Sequence, residues 1–107
     1  MVGDIYLSKI YFTNGSDYKL RPILIIQQNS FDDALYIPLT TNPNNQNAFE
    51  FDNDFLNEGA FKKRSYLIID KTCTIQKNLL MKKIATIKKE ILQKILHQYC
   101  GFLHENK

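Results

Sequence analysis

The sequence predicts a small, mainly β domain: five or more short strands bent into an antiparallel barrel and covered by one C-terminal amphipathic helix. Short runs rich in β-branched and aromatic residues recur over the first 87 positions, each bounded by polar turn residues. Apolar residues adopt helical spacing only after residue 88. With 107 residues, 44% of them hydrophobic, the chain has material for one core, so we expect a single domain over 1–107, with the barrel over about 3–87 and the helix over about 88–100.

The first strand is expected from Ile5 to Phe12, and the polar loop Thr13-Asn14-Gly15-Ser16-Asp17-Tyr18-Lys19-Leu20 carries turn chemistry. Ile23 to Ile26 is all apolar and reads as a second, buried strand, with Pro22 at its first position because no ladder donor is needed there. The turn Asn29-Ser30-Phe31-Asp32-Asp33 leads into a third strand, Ala34 to Thr40, whose far end Pro38 relegates to an edge or a bulge. Thr41 to Asn47 is too polar and turn-prone to pack. Ala48–Phe51 suits a short strand, 54–59 a turn or single helical turn, 65–70 a buried strand, and 81–87 contains another. Ile91, Leu92, Ile95, Leu96 and Tyr99 then recur at helical spacing, and Gly101 stands where a helix C-cap belongs, giving a helix of roughly three turns.

No apolar run is long enough to cross a membrane, and the N-terminus lacks a basic segment leading into an apolar stretch and a cleavage site, so a cytoplasmic protein is expected. Cys73 and Cys100 form no CxxC or Cys/His pattern and are expected as two buried or partly buried thiols. Neither His97 nor His104 has a neighbour at metal-ligand spacing, and no glycine-rich phosphate loop or nucleotide fingerprint is present, so neither a metal nor a cofactor is expected. Net charge is +3, but residues 1–60 carry net −5 and residues 61–107 net +8. Such a split fits a basic face for phosphate backbones or an acidic partner, and equally a lysine-rich solvated surface.

Two residues stand where chemistry is possible. Arg21 is a lone charge at the junction of a long loop with a buried strand; its guanidinium stays ionised and grips two phosphate oxygens at once. Alternatively it pairs with Asp17 or Asp4 and pins the loop. Thr40 ends an apolar strand beside a polar loop, a position from which a hydroxyl can meet a substrate or simply begin a turn. Lys62, Lys63, Arg64 and Lys71 suit an RNA groove, and Tyr18 and Phe12 suit base stacking, with core or loop packing as the other use of the two rings.

The opening Gly3-Asp4-Ile5-Tyr6-Leu7, the Gly15-Ser16 loop and Arg21-Pro22-Ile23-Leu24-Ile25-Ile26 resemble the start of the MazF/PemK family of toxin ribonucleases, and Leu39-Thr40-Thr41 resembles its Ile-Thr-Ser or Ile-Thr-Gly strand end. The resemblance implies a small SH3-like antiparallel β-barrel of the CcdB/PemK/MazF type. It implies a type II toxin–antitoxin mRNA interferase: a metal-independent, sequence-selective endoribonuclease acting on single-stranded RNA to leave 2′,3′-cyclic phosphate and 5′-hydroxyl ends. Arg21 and Thr40 would then be the catalytic pair, with Tyr18, Lys19, Thr41, Lys62, Lys63, Arg64 and Lys71 contacting RNA. It further implies a bacterial cytoplasmic homodimer, an acidic antitoxin, and operator DNA bound through that antitoxin. From Lys63 to Ile75 the chain is similar to the family's Ser-Val strand and Gln-x-Arg-Thr motif, but the family's Gln and Arg fall on Lys71 and Cys73, and the following acid on Gln76. Two other readings remain beside it: a non-enzymatic toxin of the CcdB type that wedges a protein partner, and a family member that binds RNA or antitoxin without cleaving.

Overall fold

A computed structural model describes residues 1–11, 14–29, 31–42, 44 and 48–105. Phe12 and parts of the loop expected at 41–47 lie outside the described residues. The chain forms eight strands, β1 (Asp4–Tyr11), β2 (Tyr18–Gln28), β3 (Asp33–Thr40), β4 (Ala48–Phe51), β5 (Leu56–Glu58), β6 (Ser65–Ile68), β7 (Cys73–Gln76) and β8 (Leu80–Ile87), followed by helix α1 (Lys89–His104). The strands pair antiparallel in the order β4-β6-β3-β2-β1-β8-β5, with β7 added beside β3. The fold is therefore mainly antiparallel β with a C-terminal helix, as the sequence predicts, but the ladder stays open, with β4 and β5 ending its path.

Alternation along the strands separates two apolar faces. Ile5, Leu24, Ile37, Leu39 and Leu67 form one core with Ile95 of α1, and Ile91, Leu92, Leu96 and Tyr99 pack against it. Ile23, Ile25, Ala34, Tyr36 and Ile75 form the other. Strands β2 and β3 contribute to both, which is why their apolar runs are continuous rather than alternating. No helix among the described residues is long and apolar enough to cross a membrane.

Pro22 and Pro38 sit deeper in the sheet than expected. Strand β2 begins at Tyr18, so Pro22 is internal, opposite Leu7 of β1, and its missing donor falls just before the ladder with β3 begins at Ile23. Strand β3 is central, and Pro38 occupies the gap between its pairing with β7 (Asp33 to Tyr36) and with β6 (Leu39 and Thr40). The absent N–H therefore leaves no ladder bond unmade on that side. The segment expected as one strand over 65–70 turns after Ile68 into a 3-10 turn, Ile69–Lys71, and 54–59 divides into a 3-10 turn, Asn53–Phe55, and β5. Helix α1 runs past Gly101 to His104, because Phe102 carries the partly buried face one turn further. Cys73 and Cys100 are both exposed rather than buried: β7 is a short edge addition, and Cys100 lies on the outer side of α1.

Candidate functional site

Arg21 and Thr40 come from neighbouring strands. The β2–β3 pairing ends at Ile23 opposite Pro38; Arg21 lies two residues before that pair on β2 and Thr40 two residues after it on β3. Together with Lys19, Leu20, Pro22, Leu39, Thr41, Asn42 and Ser65 they line a cleft of about 390 Å³. Two residues along a strand returns a side chain to the same face, so Arg21 follows the face of Ile23 and Thr40 that of Pro38. Arg21 is opposite Ser8 of β1 on its other side, a fully buried serine whose hydroxyl donates to the Leu79 carbonyl at 2.9 Å. No carboxylate is therefore brought alongside the guanidinium from β1.

The two acids that might have pinned Arg21 are engaged elsewhere. Asp4 meets the N-terminal ammonium at 3.4 Å and accepts from the Thr86 hydroxyl at 3.0 Å, while Asp17 accepts from the Asn14 side-chain amide at 3.2 Å. Among the described residues Arg21 forms no ion pair. It is half-buried, so the strands fix its stem while the charge remains available to an anion. Thr40 combines both of its expected uses: its hydroxyl oxygen accepts the Asn42 N–H at 3.2 Å, which begins the turn and leaves the O–H free to donate.

Of the other candidates, Lys19 and Thr41 are exposed and flank the cleft. Tyr18 is exposed at the base of the first hairpin, 5.6 Å centroid to centroid from Tyr11, with the Lys9 ammonium 5.0 Å from its ring. Tyr11 escapes a sequence reading because only the β1–β2 register shows that it faces Tyr18. Lys62, Lys63 and Arg64 line a separate cleft of about 230 Å³ with Glu50, Asp52, Asn53 and Phe61, and Arg64 is 3.4 Å from Glu50. Lys71 is exposed in the 3-10 turn before β7 and joins neither cleft. Cys73 stands opposite Tyr36; burial first, and the thiol second, push the pKa of the Tyr36 hydroxyl above its ordinary value, so it holds its proton more tightly. Ser65 is the cleft residue that motif reading passes over: it is buried, and its hydroxyl donates to the Lys63 carbonyl at 3.3 Å. Among the described residues no three His, Cys, Asp or Glu side chains are grouped to hold a metal ion.

A guanidinium without a counter-charge beside a hydroxyl donor is an oxyanion-binding pair suited to a phosphodiester. Comparison of the fold with solved structures gives close matches. A Mycobacterium tuberculosis toxin, MazF-mt6, superposes with a TM-score of 0.70 at 16% identity over 97% of this chain and 98% of that one. An endoribonuclease in complex with its cognate antitoxin from a mycobacterial species gives 0.68 at 18% identity, covering 96% and 91%. A MazE–MazF structure from Deinococcus radiodurans gives 0.69 at 11% identity, covering 95% and 93%. At these identities the likeness is one of fold. No curated protein sequence matches the chain. The model of the PemK-like, MazF-like toxins of type II toxin–antitoxin systems matches residues 1–102, and the chain belongs to that family.

Proposed function

We propose that this toxin-family protein is an endoribonuclease that cuts single-stranded RNA at the Arg21–Thr40 cleft by attack of the neighbouring 2′-hydroxyl, without a metal. The observation that carries the reading is the meeting at one cleft of the Thr40 hydroxyl with a half-buried Arg21 that has no ion pair among the described residues. The 2′-hydroxyl gives up its proton as its oxygen bonds to phosphorus, and the bond to the 5′-oxygen breaks as that oxygen takes up a proton, leaving a 2′,3′-cyclic phosphate and a 5′-hydroxyl. Arg21 neutralises the charge that grows on the non-bridging oxygens, and Thr40 donates a hydrogen bond to one of them. Lys19 and Thr41 hold the strand at the cleft, Tyr18 offers a ring to a base, and Lys62, Lys63, Arg64 and Lys71 contribute backbone attraction.

Family membership, with fold neighbours that were solved as toxin–antitoxin complexes, supports an acidic antitoxin as protein partner, a homodimeric state, and operator DNA reached through the antitoxin. The test is cleavage of a long single-stranded RNA in EDTA by the wild-type protein beside Arg21→Ala and Thr40→Ala, with mapped fragment ends. Discrete cuts ending in cyclic phosphate are expected, with kcat reduced about a hundredfold or more in each variant at unchanged circular dichroism. Intact RNA with folded, antitoxin-free wild-type protein would overturn the reading in favour of a binder that does not cleave.

A further inference from the structure

Thr40, which shares its cleft with Arg21, has Tyr66 as its ladder partner on the next strand. In β6, Tyr66 is paired with Thr40 of β3 on one side and with Glu50 of β4 on the other. Opposed residues share a face with Cβ atoms about 4.5–5.5 Å apart, so the Tyr66 ring rises beside the Thr40 hydroxyl. Its strand neighbours Ser65 and Leu67 are buried, whereas Tyr66 is half-buried. Phe49, Phe51, Phe55 and Phe61 pack against one another at centroid distances of 5.5–6.3 Å within the α1-side core. Tyr66 joins no such ring pair and makes no side-chain hydrogen bond among the described residues.

We propose that Tyr66 is a nucleobase-stacking subsite, the seat of the base adjoining the phosphate held at Arg21 and Thr40. This rests on the RNA-cleaving reading of that cleft. Tyr66 stands one interstrand spacing, about 4.8 Å, from Thr40 on the same face, so a nucleotide whose phosphate sits at Thr40 has an aromatic ring within reach of its base. An aromatic face accepts any base by stacking, and the exposed Glu50–Arg64 pair beyond it offers an acceptor and donors to the base edge.

The chain contains no tryptophan, so Tyr66→Trp introduces a sole indole reporter. That variant is titrated with a single-stranded oligonucleotide whose 2′-hydroxyls are methylated and which therefore cannot be cut. Saturable quenching is expected, persisting at weaker affinity when Arg21→Ala is added. In cleavage of unmodified RNA, Tyr66→Ala should raise KM about tenfold to a hundredfold with kcat nearly unchanged and relax the preference at one base beside the cut, while Tyr66→Phe stays near wild type. Persistent cutting, with the indole emission of Tyr66→Trp unquenched and an unaltered KM in Tyr66→Ala, would overturn the subsite and leave the nuclease reading intact. Quenching by the oligonucleotide without cleavage of any RNA by the wild type would keep the stacking site and remove the nuclease reading. Emission that follows protein concentration and ignores RNA would assign Tyr66 to a contact between copies and overturn the proposal.

Discussion

Arg21 and Thr40 were legible as single residues because each breaks its local pattern, a charge where a loop meets a buried strand and a hydroxyl closing an apolar run. What the residues alone left open was whether Arg21 is spoken for, and that is decided by Asp4 and Asp17 each finding other partners. Tyr66 was illegible for the opposite reason: inside Ser65-Tyr66-Leu67-Ile68 it looks like one more buried strand aromatic, and only the ladder sets it beside Thr40. Gly59 shows the same dependence on tertiary context. Its φ is +87°, and an added Cβ would collide with the Ile84 carbonyl oxygen and the Ala85 backbone. The left-handed conformation alone costs a side chain about 1–3 kcal/mol, so Gly59→Ala should lose at least about 2 kcal/mol and lower Tm by roughly 10 °C, measured by thermal unfolding. Gly15, with φ +76° but open space around it, carries only the conformational part, and its alanine variant should fall less.

At the scale of elements, legibility followed the length of the periodic signal. The helix was readable from five apolar positions, and all five face the core. Its end was not, since a glycine late in a helix signals a stop only when the apolar stripe stops too, and here Phe102 prolongs the stripe past Gly101. Strands β5 and β7 were missed as strands because Leu-Asn-Glu and Cys-Thr-Ile-Gln each carry a single large apolar residue, whereas the equally short β4 has two phenylalanines; β5 and β7 exist through their partners β8 and β3. Burial rather than propensity holds α1 in place. Its N-cap, Lys88, supplies no side-chain bond, while Ile95 is fully buried in the core shared with Leu24, Leu39 and Leu67. Ile95→Ala should therefore cost about 2–5 kcal/mol, read as a lower urea midpoint at unchanged slope, whereas Leu103→Ala on the exposed side of the same helix should shift the midpoint little. Equal effects at the two positions would mean that the helix is held mainly by its own propensity.

For the whole molecule, the charge split along the chain does not become two charged halves, because the sheet order interleaves them. Strand β6, from the basic half, lies between β4 and β3 of the acidic half, and β8 lies between β1 and β5. On the proposed RNA-binding reading, the basic groups gathered at clefts are those at the two ends of one transverse row, Lys19 and Arg21 at β2, then Lys62, Lys63 and Arg64 leading into β6, while Lys71 joins neither cleft. Three interstrand steps from β2 through β3 and β6 to β4 span about 14 Å, short enough for one bound strand to meet both groups. Five cations at about 0.7 released counterions each give a log–log salt slope near −3.5 per protomer for binding of an uncleavable single-stranded oligonucleotide, measured by fluorescence anisotropy. Neutralising Lys62, Lys63 and Arg64 together to glutamine should remove about 2 from that slope, since three cations leave the interface. Lys82→Gln with Lys83→Gln removes two charges against three, on β8 across β1 from the cleft, and should leave the slope unchanged. If both sets lowered it alike, binding would follow the overall field of a basic protein rather than a track across these four strands.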